Sequence, residues 1–312
     1  MDPRRLGLVA TKLHYFQIVA ELGSIRRAAQ DLNVAPSVIS RSVRQIEAEL
    51  DVQLFDRVGK RLKLTSAGET LVYHARASAL EIANAVNFIQ DLKGLRGGTV
   101  SIVAIESMAR HAVPKVLQRF WDSYQHVDIK LHIAGSAQAF EAVANGIYDM
   151  AVAFDHAVPS NARRLASCRM RLGALLRADH PMANAPSVLL RDFVAEPLLL
   201  AESSLTLGRT VEAAAARSGV TFHSRVVTNS IGALIELAMS GQGVTFQTRL
   251  GAEPELESGK LVFVPLRDAH LRRRELVLVS RANSPLPRAA STLSVMLGEA
   301  VTALNENEIV VA

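Results

Sequence analysis

The sequence predicts an α/β protein in two parts, in which a small N-terminal helical module precedes a larger region of strands and helices. Residues 13–68 contain three short amphipathic helix patterns and a basic hairpin. Beyond Gly98 the chain instead alternates apolar strand patterns with helical ones. A chain of 312 residues, of which 49% are hydrophobic, is long enough to form two or three packed domains.

The first two helix patterns are short and end at turn residues. Apolar residues from Leu13 to Leu22 gather on one side of a helix, which Gly23 ends. Ser24 is the expected N-cap of a second helix, which ends at Asn33, a residue that tolerates left-handed backbone. Since the second helix carries small alanines, the two helices can cross closely. This arrangement is typical of a helix-turn-helix.

The third helix begins near Pro36, where a missing N–H costs nothing. We expect its buried face to contain Val38, Ile39, Val43, Ile46 and Leu50. We expect its opposite face to contact bases and phosphates of duplex DNA through Ser37, Ser40, Arg41 and Arg44. A solvated amphipathic helix is the alternative for any charged face, but the short preceding turn favours DNA.

A basic hairpin follows the third helix. The chain has no acidic residue between Arg57 and Gly68, and Gly59 predicts a tight turn. We predict that Arg57, Lys60 and Arg61 bind the phosphate backbone and add affinity with little sequence information. An ordinary charged hairpin is the alternative. Residues 1–65 contain eleven Lys and Arg against seven Asp and Glu, so they hold most of the formal net charge of +5.

A long helical pattern starts after Thr65, its expected N-cap, and Glu69 in the first turn complements the helix dipole. Residues in alternating four- and three-residue steps form a coiled-coil seam of Leu71, Ala75, Ser78, Ile82, Ala85, Ile89 and Leu92. This spacing predicts pairing with a second copy of the chain. Packing of the helix on its own domain is the alternative, and Gly94 with Gly97-Gly98 is the predicted end of the linker.

The remaining chain predicts an α/β fold with parallel strands. Its strand patterns cover residues 100–105, 129–133, 149–154, 171–177, 197–201, 225–228, 243–247 and 275–280. Helical patterns cover residues 109–124, 137–145, 207–218 and 231–240. Ligands of such folds bind beyond the carboxyl ends of the strands.

This rule selects a group of polar loop residues as a candidate ligand site. They are Glu106, Ser107, Gly135, Ser136, Glu202, Ser203, Ser204, Thr228, Asn229 and Gln247, to which the aromatic Phe246 is added. Taken singly, each polar residue is also typical of a helix cap or a turn. The charges of Glu106 and Glu202 disfavour a carboxylate ligand unless an Arg neutralises them. We therefore hypothesise a ligand with a cationic or hydroxyl-bearing group.

No catalytic or metal-binding pattern is found in the sequence. The nine histidines are scattered, no Gly-x-Ser-x-Gly elbow or phosphate-cradling loop is present, and the only cysteine is Cys168. We therefore predict neither enzyme activity, nor a metal, nor a cofactor. A single cysteine excludes an intrachain disulfide and indicates a reducing compartment. Because the sequence also has no signal peptide pattern and no apolar span of membrane length, it predicts a cytoplasmic protein without membrane contact.

The N-terminal residues resemble those of the LysR-type transcriptional regulators. The similar positions are Leu13-x-x-Phe16, Gly23-Ser24, Ala28-Ala29, Leu32, Ser40-Arg41, Ile46-Glu47, Leu50, Leu54-Phe55-x-Arg57 and Leu64-Thr65-x-x-Gly68. Weaker similarity follows in Ala112-Val113-Pro114 with Phe120, Gly146-x-x-Asp149-x-Ala151, His180-Pro181-Met182-Ala183 and Gly241-x-Gly243-Val244. Pro36 stands where this family commonly has a base-reading Gln, so base reading shifts to Ser37, Ser40, Arg41 and Arg44.

The resemblance implies a winged helix-turn-helix in residues 1–65, a dimerisation linker helix in 66–95, and an effector-binding domain in 96–306. The effector domain is expected to be Rossmann-like, similar to periplasmic binding proteins, with two subdomains joined by two crossing strands. Subdomain I would cover about 96–163 and 271–306, including a C-terminal helix at 291–304, and subdomain II about 164–270. Residues 307–312 would form a tail.

The function that the resemblance implies is transcription regulation controlled by a small-molecule effector in the cleft between the subdomains. The implied partners are double-stranded promoter DNA, the effector, and further copies of the chain in a dimer or tetramer, with RNA polymerase as another candidate. The alternative is a two-lobed solute-binding protein without catalytic activity. Such a protein would need export and would have no use for the N-terminal module.

Overall fold

The computed structural model describes residues 10–58, 61–92, 97–154, 158–269, 271, 273–282 and 284–306. The chain forms two compact units. The N-terminal unit comprises residues 1–98 with 145–147 and 284–288, and the C-terminal unit comprises residues 99–144, 148–283 and 289–312. The predicted turn at Gly59, the hinge residue Gly94, the side chain of Lys60 and the tail at 307–312 lie outside the described residues.

The N-terminal unit consists of helices packed around a small core, with a hairpin at one side. Its elements are α1 (Thr11–Leu22), α2 (Ile25–Asp31), α3 (Pro36–Leu50), β1 (Phe55–Val58), β2 (Arg61–Leu64) and α4 (Ser66–Leu92). Gly23 and Asn33 have left-handed backbone with φ of 61° and 52°. The Oγ of Ser24 accepts a hydrogen bond from the Arg27 N–H at 3.4 Å. These three predicted turn residues therefore form the turns as expected.

The core of the N-terminal unit lies where α1, α2 and α3 meet. It contains Phe16, Val19, Ala28, Ala29, Ile39, Val43, Ile46, Leu54, Phe55 and Val72. The predicted burial of Val38 and Leu50 is wrong, because 44% and 53% of these residues are exposed. Val38 is turned about 100° around the helix from Ile39. Leu50 is the last residue of α3, just before the left-handed Asp51.

The hairpin and α4 are tied to this core by local hydrogen bonds. Strands β1 and β2 pair antiparallel, and the Leu62 N–H donates to the Gly23 oxygen at 3.0 Å. The Oγ1 of Thr65 accepts from the Gly68 N–H at 3.1 Å, which confirms Thr65 as the N-cap of α4. Any Cβ at Gly68 would clash with the backbone oxygen of Leu54, so only glycine allows this approach.

Helix α4 has 27 residues and a length of about 40 Å. Its first turns pack against the N-terminal core through Leu71 and Val72. Farther along the predicted seam, Ser78, Ala85 and Ile89 are exposed. The start of α4 thus belongs to the N-terminal module, and pairing of the remaining seam stays a prediction.

Beyond α4 the chain alternates strands and helices. In chain order the elements are β3 (Gly97–Ala104), α5 (Glu106–Arg110), α6 (Ala112–Trp121), β4 (His126–Ile133), α7 (Ser136–Ala144), β5 (Met150–Phe154), β6 (Ala162–Met170), β7 (Gly173–Arg177), a short 3-10 helix (Leu190–Phe193), β8 (Leu198–Ala201), α8 (Thr206–Arg217), β9 (Ser224–Thr228), α9 (Ile231–Met239), β10 (Val244–Gln247), α10 (Glu253–Glu257), β11 (Leu261–Pro265), β12 (Arg274–Arg281) and α11 (Arg288–Glu306).

These strands form two five-stranded sheets. The first has the order β4-β3-β5-β12-β6, and the second the order β11-β7-β10-β8-β9. We call the first sheet with α5, α6, α7 and α11 the first lobe, and the second sheet with α8, α9 and α10 the second lobe. The chain passes between the sheets twice, after β6 and after β11, as the two predicted crossing strands require.

The predicted parallel strands are present, because β3 pairs parallel with β5 and β8 pairs parallel with β9 and β10, but both sheets also contain antiparallel pairs. Strand β12 runs antiparallel to both β5 and β6, and β7 runs antiparallel to β10 and β11. The two crossings between the sheets run from β6 to β7 and from β11 to β12. These four strands therefore need no crossover helix of the kind that makes neighbouring strands parallel. Strand β6 continues in the first sheet to Met170, beyond the subdomain limit that was expected near residue 163.

Several elements differ from the sequence pattern, and the short α10 and the 3-10 helix were not predicted at all. Strand β6 was missed, because it lies at a sheet edge and carries exposed Arg163, Arg164 and Arg169 in place of an apolar run. Strand β11 was also missed, although its apolar run follows Gly259. The single helix expected at 109–124 is two helices, α5 and α6, separated at His111 with φ of −139°. Among the described residues, no helix is both long and apolar enough to cross a membrane.

Candidate functional site

Helix α3 presents a polar face on the side away from the core. Ser37, Arg41 and Arg44 are exposed and Ser40 is half-buried, while Ile39, Val43 and Ile46 hold the opposite side of the helix in the core. Within the described part of the chain, neither Arg41 nor Arg44 forms an ion pair or a side-chain hydrogen bond. Both guanidinium groups are thus available to an external ligand. We call Ser37, Ser40, Arg41 and Arg44 the α3 face.

The hairpin adds positive charge to the same unit. Arg57 and Arg61 are exposed, and neither pairs with a carboxylate of the described residues. The hairpin is held to α3 by Glu47, whose Oε1 accepts the Leu54 N–H at 2.9 Å just before β1. The Thr65 hydroxyl also donates to the Gln53 oxygen at 2.7 Å. Because these bonds close both ends of the segment 53–65, they hold the hairpin against the base of α3.

A pocket of about 310 Å³ lies in the C-terminal unit. It is lined by the loops that follow β3 and β4 in the first lobe and by residues around the starts of α8 and α9 in the second lobe. Apolar side chains, among them Ile133, Phe154 and Leu250, form part of its wall. The pocket therefore lies at the carboxyl ends of parallel strands, where the rule for α/β folds predicts a ligand.

Seven of the eleven predicted ligand-site residues line this pocket, namely Glu106, Ser107, Gly135, Ser136, Ser204, Asn229 and Gln247. Glu202 and Ser203 are exposed and do not line it. Thr228 is also outside the lining, and its Oγ1 accepts the Ser230 N–H at 3.2 Å. In these two loops the neighbouring Ser204 and Asn229 line the pocket in their place.

Phe246 was predicted in the site but is a core residue. Its ring packs on Phe193 and Phe222, with centroid distances of 5.3 and 5.8 Å. Successive side chains of a strand point to opposite faces, so the neighbouring Gln247 lines the pocket instead. Of the two residues predicted at this strand end, only Gln247 therefore belongs to the pocket.

Several polar lining residues were not among the predicted site residues. They are Gln138, Thr206, Thr248 and Arg274. Arg274 was missed because it begins a strand, whereas the rule considers only strand ends. Strand β12 is antiparallel to β5, and Leu276 pairs with Phe154 at the end of β5. The start of β12 therefore reaches the pocket, with the Arg274 guanidinium 5.6 Å from the Phe154 ring centroid.

The carboxylate of Glu106 is bound to the N-terminus of α9. It accepts hydrogen bonds from the Ile231 N–H at 2.6 Å, the Gly232 N–H at 2.9 Å and the Ser230 hydroxyl at 3.0 Å. The Oγ of Ser230 also accepts the Ala233 N–H at 3.3 Å as the cap of the helix. A helix N-terminus stabilises negative charge. The charge of Glu106 is therefore balanced within the protein, and it no longer supports the cationic ligand that we hypothesised.

Arg110, one turn after Glu106 on α5, makes a second connection to the other lobe. Its Nε donates to the Gly251 oxygen at 2.8 Å, and its Nη2 contacts Glu255 Oε1 at 3.0 Å. The side chains of Arg110 and Glu255 are 21% and 11% exposed. Gly251 has φ of +87°, and a Cβ there would crowd Ser107. Two polar side chains of α5 thus join the first lobe to the second.

Gln247 is the unusual polar residue of the pocket. Only 3% of it is exposed, and its side-chain Nε2 has no hydrogen-bond partner among the described residues. A buried donor without a partner costs free energy of about 1–3 kcal/mol. Such a donor in a pocket wall is typical of a ligand contact.

Two carboxylates of the lobes, the buried Asp149 and the half-buried Glu253, have raised pKa values. Burial raises the pKa of Asp149, although the N–H and hydroxyl of Ser101 both donate to its Oδ2 at 2.7 Å and oppose the shift. Burial likewise raises the pKa of Glu253, whose Oε2 accepts the Gly251 N–H at 2.8 Å. Neither carboxylate lines the pocket. Within the described residues no group of three or more His, Cys, Asp or Glu is arranged to hold a metal ion.

Comparison with known proteins agrees with this architecture. Residues 10–69 match the family model described as a bacterial regulatory helix-turn-helix protein of the lysR family, and residues 93–302 match the model of the LysR substrate binding domain. The chain therefore belongs to the LysR family of transcriptional regulators. This result confirms the predicted family and fold and favours a regulator over the solute-binding alternative.

Individual relatives agree with this assignment. The chain is 27% identical over 296 residues to a probable RuBisCO transcriptional regulator of Trichormus variabilis, covering 93% of this chain and 87% of the relative. A full-length OxyR variant from Pseudomonas aeruginosa has the same fold, with a TM-score of 0.64, 19% identity and coverage of 92% of this chain and 93% of that one. The effector binding domain of QuiR in complex with shikimate has a TM-score of 0.54 and 15% identity, covering 66% of this chain and 98% of that domain.

Proposed function

We propose that this LysR-type regulator binds promoter DNA through the α3 face and the hairpin, and that the pocket of its C-terminal unit binds the controlling effector. The observation that carries the DNA part is the unpaired, exposed state of Arg41 and Arg44, among the described residues, on a helix held from behind by the core. A helix with its side chains is about 10–12 Å wide and fits the major groove of B-DNA.

On the α3 face, guanidinium and hydroxyl groups supply the hydrogen bonds to base edges. Arg41 and Arg44 suit the two acceptors of a guanine, and Ser37 and Ser40 suit either bases or phosphates. The exposed Val38 adds an apolar contact for a thymine methyl group. The hairpin residues Arg57, Lys60 and Arg61 contact phosphates and set the register of α3 on the duplex.

The effector part rests on Gln247. Its buried amide faces a pocket of about 310 Å³ whose wall is partly apolar and partly polar, which suits a small molecule with a hydrogen-bond acceptor. Ser136, Asn229 and Arg274 line the same pocket and supply further polar groups. The hydroxyl-bearing ligand of our hypothesis fits this lining. Effector binding would act by shifting the population of lobe arrangements, which changes the oligomer on DNA.

The active species in this proposal is a homodimer or homotetramer that pairs through α4. Ile89, on the predicted seam, is 52% exposed in the single chain, so a partner helix would bury it. In the proposed domain division, residues 1–65 are the DNA-binding domain, 66–95 the dimerisation linker and 96–306 the effector-binding domain. Contact with RNA polymerase and a cytoplasmic location follow from action at promoters and are part of the same proposal.

The test is binding of the full-length protein to DNA from the region upstream of its own gene, measured by fluorescence anisotropy. We expect Arg41→Ala and Arg44→Ala each to weaken specific binding by roughly 1–3 kcal/mol, because each removes a contact to two base atoms. Arg217→Ala is the matched control, since this exposed residue ends α8 and loses the same charge. If both variants lost equal affinity for random DNA and for upstream DNA, the α3 face would contact only phosphates, which would contradict base reading.

A further inference from the structure

The carboxylate of Glu106 occupies the hydrogen-bond donors at the start of α9, beside the pocket. We propose that Glu106 is a built-in anion that fills the carboxylate-binding position at the N-terminus of α9. It thereby excludes an effector carboxylate from this position and bridges the two lobes before any effector is present. The statement about effectors rests on the proposed function of the pocket, whereas the occupancy of the position does not.

The start of α9 offers a complete set of donors for one carboxylate. Oε1 of Glu106 accepts from the Gly232 N–H and the Ser230 hydroxyl, and Oε2 accepts from the Ile231 N–H. Backbone N–H groups at a helix start carry about half a positive charge in sum and bind anions. Since all three donors already serve Glu106, a second carboxylate would find no donor there and would be repelled by the first.

The surrounding residues are shaped for this contact. Gly232 has no Cβ, and a Cβ at this position would lie 2.5 Å from Arg110 Nη1 and 3.2 Å from Glu106 Oε1. Arg110 lies four residues after Glu106, so both side chains leave α5 on the same face. Glu106 contacts the start of α9, whereas Arg110 bonds to Gly251 and Glu255. Two side chains of the first lobe thus contact two different segments of the second lobe.

Two polar lining residues outside the first turn of α9, Gln247 and Arg274, suit an effector. Gln247 Nε2 is buried in the pocket wall without a partner among the described residues, and Arg274 lines the wall as well. An acceptor atom of the effector is therefore expected at Gln247 and Arg274 and not at the first turn of α9. Removal of the Glu106 carboxylate should create a new anion site at a known place.

The experiment is chemical rescue with formate in the full-length protein. Glu106→Ala should lower the thermal unfolding temperature by about 5 °C, since it removes several charge-assisted hydrogen bonds. Sodium formate should restore much of this loss in a saturable way, whereas sodium chloride at equal ionic strength should not. Wild-type protein should respond equally to both salts. Glu106→Gln should lose less than Glu106→Ala and should gain nothing from formate, because the amide still fills the position.

Glu236→Ala is the matched control, as Glu236 is an exposed carboxylate on the same helix. It should neither lower the unfolding temperature as Glu106→Ala does nor respond to formate. Hydrogen exchange at the amides of Ile231 and Gly232 should rise in Glu106→Ala and fall again with formate. Equal formate responses in wild type and Glu106→Ala, or unchanged exchange at these amides, would overturn the proposal.

If Glu106→Ala does not fold, Glu106→Gln decides the question, and an unfolding temperature equal to that of wild type would overturn the proposal. The assay contains neither DNA nor effector, so its outcome is independent of the regulator's proposed DNA contacts and ligand. Failure of DNA binding in the upstream-region assay would not contradict the proposal that the Glu106 carboxylate occupies the N-terminus of α9.

Discussion

The two units of this regulator use charged side chains in opposite ways. On the α3 face and the hairpin, Arg41, Arg44, Arg57 and Arg61 are exposed and unpaired among the described residues. In the C-terminal unit, by contrast, Glu106 and Arg110 are half-buried and engaged with the facing lobe. The first group contributes little to folding and is available to an external partner, whereas the charges of the second group are balanced inside the protein.

This difference indicates how each unit is expected to respond to substitution. An exposed, unpaired Arg can be removed with little change in folding stability, typically no more than about 0.5 kcal/mol. Removal of a buried charged partner leaves its counterpart without compensation, which is much more costly. Substitutions in the first group should therefore weaken DNA binding with little effect on folding stability. Substitutions in the second group should instead lower folding stability.

The largest expected effect is that of Arg110→Ala. It leaves the Glu255 carboxylate, which is 11% exposed on its side chain, without its ion-pair partner. We expect a loss of about 3 kcal/mol in the free energy of unfolding of the C-terminal unit, measured by urea denaturation. The double variant Arg110→Ala with Glu255→Gln should lose less, because it also removes the buried charge. A double variant as unstable as the sum of both single variants would show that the two side chains do not interact.

A smaller effect is expected from Thr65→Ala in the N-terminal unit. The substitution removes the N-cap of α4 and the hydroxyl bond to Gln53, so it should lower the free energy of unfolding of this unit by about 1 kcal/mol. Thr70→Ala serves as the control, since its hydroxyl bonds only within α4, to the Ser66 oxygen. Equal losses for the two variants would contradict a special role of the cap.

The same contrast explains which features could be predicted from sequence. The turn residues Gly23, Ser24 and Asn33, the cap Thr65 and the polar α3 face depend on local patterns, so the helical module was predicted nearly element by element. The burial of Val38 and Leu50 was the exception there, because a list of apolar positions does not show where a helix face ends.

The pocket depends on contacts between residues far apart in the chain. Ser136 and Asn229 follow strands and were found by the strand-end rule. The Ile231 N–H that binds Glu106 lies 125 residues away along the chain, and no local pattern shows that α5 and α9 meet. Arg274 was missed and Phe246 was wrongly included, because strand direction and side-chain alternation decide their positions, and both depend on the sheet as a whole.

The most direct test of the central claim is the salt dependence of binding to upstream DNA. If the unpaired Arg57 and Arg61 meet phosphates, the double variant Arg57→Ala with Arg61→Ala should reduce the slope of log K against log salt by roughly 2, or about 0.9 for each lost phosphate contact. Arg217→Ala should leave the slope unchanged. A double variant with the wild-type slope would contradict the account of a cationic N-terminal unit that binds DNA.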